Sequence, residues 1–181
     1  RRRRRGCRAS TPSLPRPPSN RAATARSRQS TGDVAQLNEQ GRAWLQEAPQ
    51  TRYAPSGVIP IDNTLVDHAG KLIEDAGYFW DHAEQRHKIA HDYLIANYVC
   101  PSGKHYALEF RRFRKRADCE TERVRLAAQP GGLAAATEDE HRLATFKSHT
   151  VLCCELIDWV VAHQIPGTFA FDSYFTNAPI G

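Results

Sequence analysis

The chain has 181 residues, no methionine, five cysteines and a formal net charge of +5. It contains no run of about 18 apolar residues, so no membrane-spanning helix is expected. The cysteine count is odd and no Cys-x-x-Cys spacing occurs, which argues against a disulfide framework or zinc ribbon and for a reducing compartment.

The charge is unevenly spread. Residues 1–32 hold ten arginines and no acid, whereas the remainder holds fifteen basic and twenty acidic side chains. Leu14 is the only large aliphatic residue in this leader. Such a segment cannot bury enough surface to offset its ordering entropy, so disorder is expected. It reads as a basic arm for DNA phosphates, as an acid-free transit peptide, or as a mis-assigned start with no selected role. The chain opens on Arg and ends at Asn177-Ala178-Pro179-Ile180-Gly181, just past a strand pattern. It reads as a fragment truncated at both ends.

Residues 33–54 form an N-terminal helix and linker. Asp33 is placed to cap a helix through about Glu47, with Val34, Leu37, Trp44 and Leu45 among its apolar members. Pro49 and Pro55 close it. Then Gly57-Val58-Ile59-Pro60-Ile61-Asp62 reads as a short β-branched strand running into a carboxylate. Pro60 removes a ladder donor and is tolerable only at a bulge or where its nitrogen faces no partner. Asn63 to Gly70 reads as turn and loop. Residues 79–92 read as a polar connecting segment. Within it, His87 and His91 are four apart and would share a helix face as a metal pair, although no His-Glu-x-x-His pattern supports zinc.

Tyr93–Val99 and His105–Phe113 read as an antiparallel hairpin around Cys100-Pro101-Ser102-Gly103-Lys104. The hairpin ends in Arg111, Arg112, Phe113, Arg114, Lys115 and Arg116. A patch of this kind tracks a DNA backbone or, equally, blunts an exposed sheet edge. A short helix and a surface excursion containing Gln129-Pro130-Gly131-Gly132 come next. Thr137-Glu138-Asp139-Glu140 is a capping-box start, and its helix is expected to run to about His163 with a broad apolar face. Pro166-Gly167 stop it. Gly167-Thr168-Phe169-Ala170-Phe171-Asp172 then repeats the earlier design of a short apolar run ending in Asp.

The order is strand, hairpin, helix, strand, so the helix is a right-handed crossover and the last strand is expected parallel to the first. Asp62 and Asp172 then stand on neighbouring strand tips about 4.8 Å apart, where two carboxylates can share divalent cations. Taken singly, Asp62 reads as a turn residue and Asp172 as a helix cap. Glu74, Asp75 and Glu109 are further carboxylates without a reason for promotion to a third ligand.

Asp62-Asn63-Thr64, Gly103-Lys104-His105-Tyr106-Ala107-Leu108-Glu109-Phe110-Arg111, Asp158-Trp159 and Phe169-Ala170-Phe171-Asp172-Ser173-Tyr174-Phe175-Thr176-Asn177 together resemble the insertion-sequence type of DDE transposase. The resemblance covers about residues 55–181. It implies an α/β, partial RNase H-like mixed sheet: an antiparallel hairpin plus a parallel strand pair, with a long crossover helix. It implies that Asp62 and Asp172 are the first two catalytic acids and ligands of Mg²⁺ or Mn²⁺ in a two-metal site. Metal-dependent DNA cleavage and strand transfer would result, without a covalent enzyme–DNA intermediate. The family's third acid, a Glu on a later helix, would lie beyond Gly181, so the chain alone would be an incomplete catalytic domain. The implied partners are transposon ends, target DNA and, in the complete protein, further copies; the implied setting is the bacterial cytoplasm, associated with the nucleoid. Arg111, Arg112, Arg114, Lys115 and Arg116 are the DNA-contact candidates, and Tyr174 stands near the site. The alternatives are a non-catalytic DNA-binding remnant and a decayed mobile-element product with no activity.

Overall fold

The computed structural model describes residues 34–69, 73, 76–172 and 175. The arginine-rich leader, Asp33, Glu74, Asp75 and Tyr174 lie outside them. The chain divides into two units between Gly41 and Arg42. The described part of the first is the N-terminal half of helix α1, Val34–Glu47. The second unit carries the sheet and the later helices.

The β-branched and aromatic runs of the second unit form one mixed five-stranded sheet: β1 Val58–Asp67, β2 Gly77–Asp81, β3 Arg86–Val99, β4 His105–Phe113 and β5 Thr168–Phe171. Long β3 is the centre. One edge pairs antiparallel with β1. The other edge takes two partners in succession, β2 along Arg86–Ala90 and β4 along Asp92–Val99. β5 adds to the far edge of β1 and runs parallel to it. The fold class is therefore α/β with a mixed sheet, and both the expected hairpin and the expected parallel pair are present.

Three expectations are corrected. The stretch after Asp62 is not a turn: β1 continues to Asp67, held by β3 in unbroken register from Ile61–Ala96 to Asp67–Ala90. Backbone pairing overrides the weak β-preference of Asp62 and Asn63, which are exposed and bury none of their polar groups, and the β-branched Thr64 continues the strand. Residues 79–92 are not a connector but the β2–β3 hairpin. The long helix predicted over 138–163 is two: α3 Glu138–Ala144 and α4 His149–Ala162. The predicted capping box opens α3, with Thr137 Oγ1 accepting from Glu140 N–H and Glu140 accepting from Thr137 N–H. Ser148 then caps a second start by accepting from Val151 N–H at 3.3 Å. Between β4 and α3 lie α2 Arg116–Ala127 and a 3₁₀ turn Gly132–Ala135.

Burial alternates on β3: Asp92, Leu94, Ala96 and Tyr98 are buried, and the residues between them are half-buried. The same core face takes Ile59 and Ile61 from β1 and Leu108 from β4, and Leu152, Cys153, Leu156 and Val160 of α4 pack into it. Burial raises the Cys153 thiol to about 11. All four described cysteines are free thiols.

Two glycines permit close approach where β1 and β5 begin. A Cβ on Gly57 would lie 2.1 Å from the Tyr98 hydroxyl, and one on Gly167, at φ +153°, would lie 3.0 Å from the Gly57 carbonyl. That carbonyl accepts from Thr168 N–H at 2.9 Å, the first rung of the β1–β5 ladder. By alternation, Pro60 turns its nitrogen toward β3. The β1–β3 ladder pairs Val58 with Val99 and resumes only at Ile61–Ala96, and β3 carries an irregularity at Ala96/Asn97 toward β4. Pro60 thus sits inside the strand at the cost of one rung.

Candidate functional site

Ile61 is the register partner of Phe171 across the parallel β1–β5 pair. Asp62 follows Ile61 in the middle of β1 and Asp172 follows Phe171 just past the end of β5, so the acids are neighbours across the pair, although Asp62 is not at the strand tip the sequence suggested. The alternation places them on the same face. Ile59 and Ile61 are buried and Phe169 and Phe171 half-buried on the core side, whereas Val58, Asp62, Thr168, Ala170 and Asp172 are exposed on the other. Neighbouring strands set a backbone separation of about 4.8 Å. One Asp62 carboxylate oxygen accepts from the Asn63 N–H at 2.8 Å. The Asp172 carbonyl accepts from Phe175 N–H at 3.0 Å.

Two exposed carboxylates offer hard oxygen donors, the type that Mg²⁺ and Mn²⁺ take alongside water and phosphate oxygens. The donor set fits such an ion as a partial ligand shell. Among the described residues, no group of three or more His, Cys, Asp or Glu side chains is placed to hold a metal. Glu109 is engaged elsewhere, 3.0 Å from Arg111.

The His87/His91 reading is corrected by the strand. Four residues along β3 separate them by roughly 13 Å. His87 stacks on Tyr78 with ring centroids 4.9 Å apart. His91 instead meets His68, with Nδ1 and Nε2 at 2.9 Å.

The basic run at the end of β4 divides by role. Lys115 donates to the Tyr78 carbonyl and lies 4.8 Å from the Phe79 ring centroid. Arg116 covers Phe146 at 4.3 Å, and Arg114 donates to the Leu143 carbonyl. These three brace the sheet against the helices. Arg111 and Arg112 line a cleft of about 650 Å³ along β4, which Arg142 and Lys147 border from the α3–α4 junction. Tyr93 and Phe110 also line it, with ring centroids 5.5 Å apart and nearly perpendicular. Tyr93, Phe110, Arg142 and Lys147 carried no signal in the sequence, because the helix break that brings the last two to the cleft was not legible there.

No helix among the described residues is long and apolar enough to cross a membrane. No protein-family model matches the chain, and no curated protein or solved structure matches it.

Proposed function

We propose that this chain is a DNA-processing domain of the insertion-sequence DDE type, with a partial RNase H-like sheet and with Asp62 and Asp172 as two ligands of a divalent-metal site. One observation carries the reading: the parallel register of Ile61 with Phe171, which makes the two acids neighbours across adjacent strands. The strand order β4-β3-β1-β5, with an antiparallel hairpin followed by a crossover through α4, supports it. That is the order the resemblance requires.

In this reading Asp62 and Asp172 bind and orient Mg²⁺ or Mn²⁺ through oxygen donors. When bound, the metal supplies Lewis-acid activation of a water or DNA 3′-hydroxyl and stabilises the leaving 3′-oxygen. The chain's own part is positional. The Asn63 amide orients one Asp62 oxygen, and Arg112 stands on the same sheet face to offset phosphate charge. A third acid is needed to complete the family's triad. The proposed partners are DNA ends and target DNA, with further copies needed to bring two ends together, in a nucleoid setting.

The test is metal-dependent DNA affinity. Mn²⁺ should tighten binding of nicked DNA severalfold in the wild type and should do nothing in Asp62→Asn or Asp172→Asn. Affinity indifferent to Mn²⁺ in all three proteins overturns the reading. The cationic cleft favours a second one, a DNA-binding module without catalysis. Its signature is salt-steep binding that survives Asp62→Asn and shows no metal response.

A further inference from the structure

β4, which pairs only with β3 among the described residues, and the α3–α4 junction line the cleft, and the lining mixes two chemistries. One wall is aromatic. Phe110 is 49% exposed although it lies in a strand paired to the sheet centre. Tyr93 meets it edge to face at 5.5 Å. The lining is also cationic, with Arg111, Arg112, Arg114, Arg142 and Lys147. Cross-strand pairing matches Tyr93 with Arg112 and Ile95 with Phe110. A ring and a guanidinium therefore stand side by side on the face that also carries Asp62.

The charge in the cleft can be transferred. Five basic side chains line it against Glu109 and Glu155. Lys147 and Arg111 already lean on those two acids, at 2.6 Å and 3.0–3.8 Å. Arg142 pairs only with Asp139 among the described ion pairs, and both side chains are more than 70% exposed. An exposed pair of this kind contributes little and gives way readily to a better anion. Guanidinium forks bind phosphate oxygens in bidentate geometry.

We infer that the cleft binds single-stranded nucleic acid, with a base stacked on the Phe110–Tyr93 wall and flanking phosphates on Arg112 and Arg142. Stacking requires a base free of its partner, which a duplex does not offer, whereas aromatic platforms set in a positive groove are the general means of holding a single strand. Two strand spacings and one pleat repeat put Arg112 about 12 Å from Asp62. That is a few nucleotides at roughly 3.4 Å of rise each. A strand held in the cleft therefore reaches the acids, but the binding itself does not depend on them.

The experiment is fluorescence anisotropy of the full chain with a fluorescein-labelled oligothymidylate of about twelve nucleotides, in EDTA, over a salt series. Arg112→Ala with Arg142→Ala should weaken binding about tenfold and lower the salt slope by about two. Phe110→Leu, which keeps an apolar side chain at an exposed strand position, should weaken it about fivefold or more with the slope unchanged. EDTA removes divalent ions, which separates failure here from failure of the metal reading. Unfolding midpoints at the wild-type value exclude a folding defect. The inference is overturned if the double variant binds as the wild type does, if duplex or a poly-glutamate peptide competes better than the single strand, or if Phe110→Leu has no effect.

Discussion

Tyr98 closes its hydroxyl onto both polar groups of one residue, Ala54. It accepts from the Ala54 N–H at 2.7 Å and donates to the Ala54 carbonyl at 2.9 Å. The side chain is fully buried, so β3 is tied to the loop that feeds β1. Gly57 comes three residues later, and only a glycine leaves room for the ring. This clamp sets the start of the strand that carries Asp62.

Removing the hydroxyl in Tyr98→Phe leaves the Ala54 N–H without this partner, while the Ala54 carbonyl keeps the Gly57 N–H at 2.9 Å, and should cost about 2 kcal/mol. Gly57→Ala forces a methyl into the ring and should cost about 1–3 kcal/mol. Both should lower the urea midpoint with an unchanged m-value. Wild-type midpoints in both would show that the clamp is not formed.

Asp92 is the one described charged side chain in the core, 4% exposed. One of its oxygens lies 3.0 Å from His149 Nε2 at the start of α4, and the other has no hydrogen-bond partner among the described residues. His149 also stacks on Phe113 at 3.9 Å. His149→Ala removes a partner from a buried acid and should cost about 3 kcal/mol or more, whereas Asp92→Leu combined with His149→Leu should cost clearly less than the single change. A double-mutant cycle in urea measures the difference, and strictly additive costs would contradict the pairing.

Lys88 gathers three acids, Asp67 at 2.9 Å, Asp81 at 2.7 Å and Glu84 at 2.6 Å. Its hydrogen bond holds the Asp81 carboxyl at about 2 against an ordinary 3.8, and it lowers Glu84 as well. The same acids, Asp81 foremost, raise the lysine well above its ordinary 10.5. The depressed carboxyls contribute stability above their ordinary values, and that contribution is lost as pH falls from about 4 toward 2. The lysine's contribution is fully present below 10.5 and is lost only as pH rises through its raised value. Protection factors of the β2–β3 amides against hydrogen exchange should therefore fall between about pH 4 and 2, and Lys88→Met should flatten that dependence. High salt should weaken the part of the effect that Asp67 and Glu84 carry, because those two carboxylates are about half exposed. A profile identical in Lys88→Met would contradict it.

The parts of this fold written in apolar alternation could be read from the sequence. The runs before Asp62 and Asp172 and the hairpin around Gly103 combine β-branched or aromatic spacing with glycine and proline punctuation. The β2–β3 hairpin could not, because cross-strand pairs hold it rather than an apolar face: Tyr78 on His87, and Lys88 among its acids. The helix break escaped for a different reason. Helical spacing continues through Phe146, but that ring packs on Phe113 at 6.2 Å and under Arg116, while Ser148 restarts the helix locally. A side chain's tertiary contacts decided the boundary, and periodicity does not carry them.

Iron-directed cleavage tests the shared metal site most directly. Fe²⁺ substituted at the site, with ascorbate and peroxide, cuts the backbone nearest the ion, and mass spectrometry locates the cuts. The account predicts paired cuts around residues 62 and 172 in the wild type, suppressed by excess Mg²⁺, with both lost together in Asp62→Asn and in Asp172→Asn. Cuts at one segment that persist when the other aspartate is replaced, or no cuts at either, would contradict a site held in common.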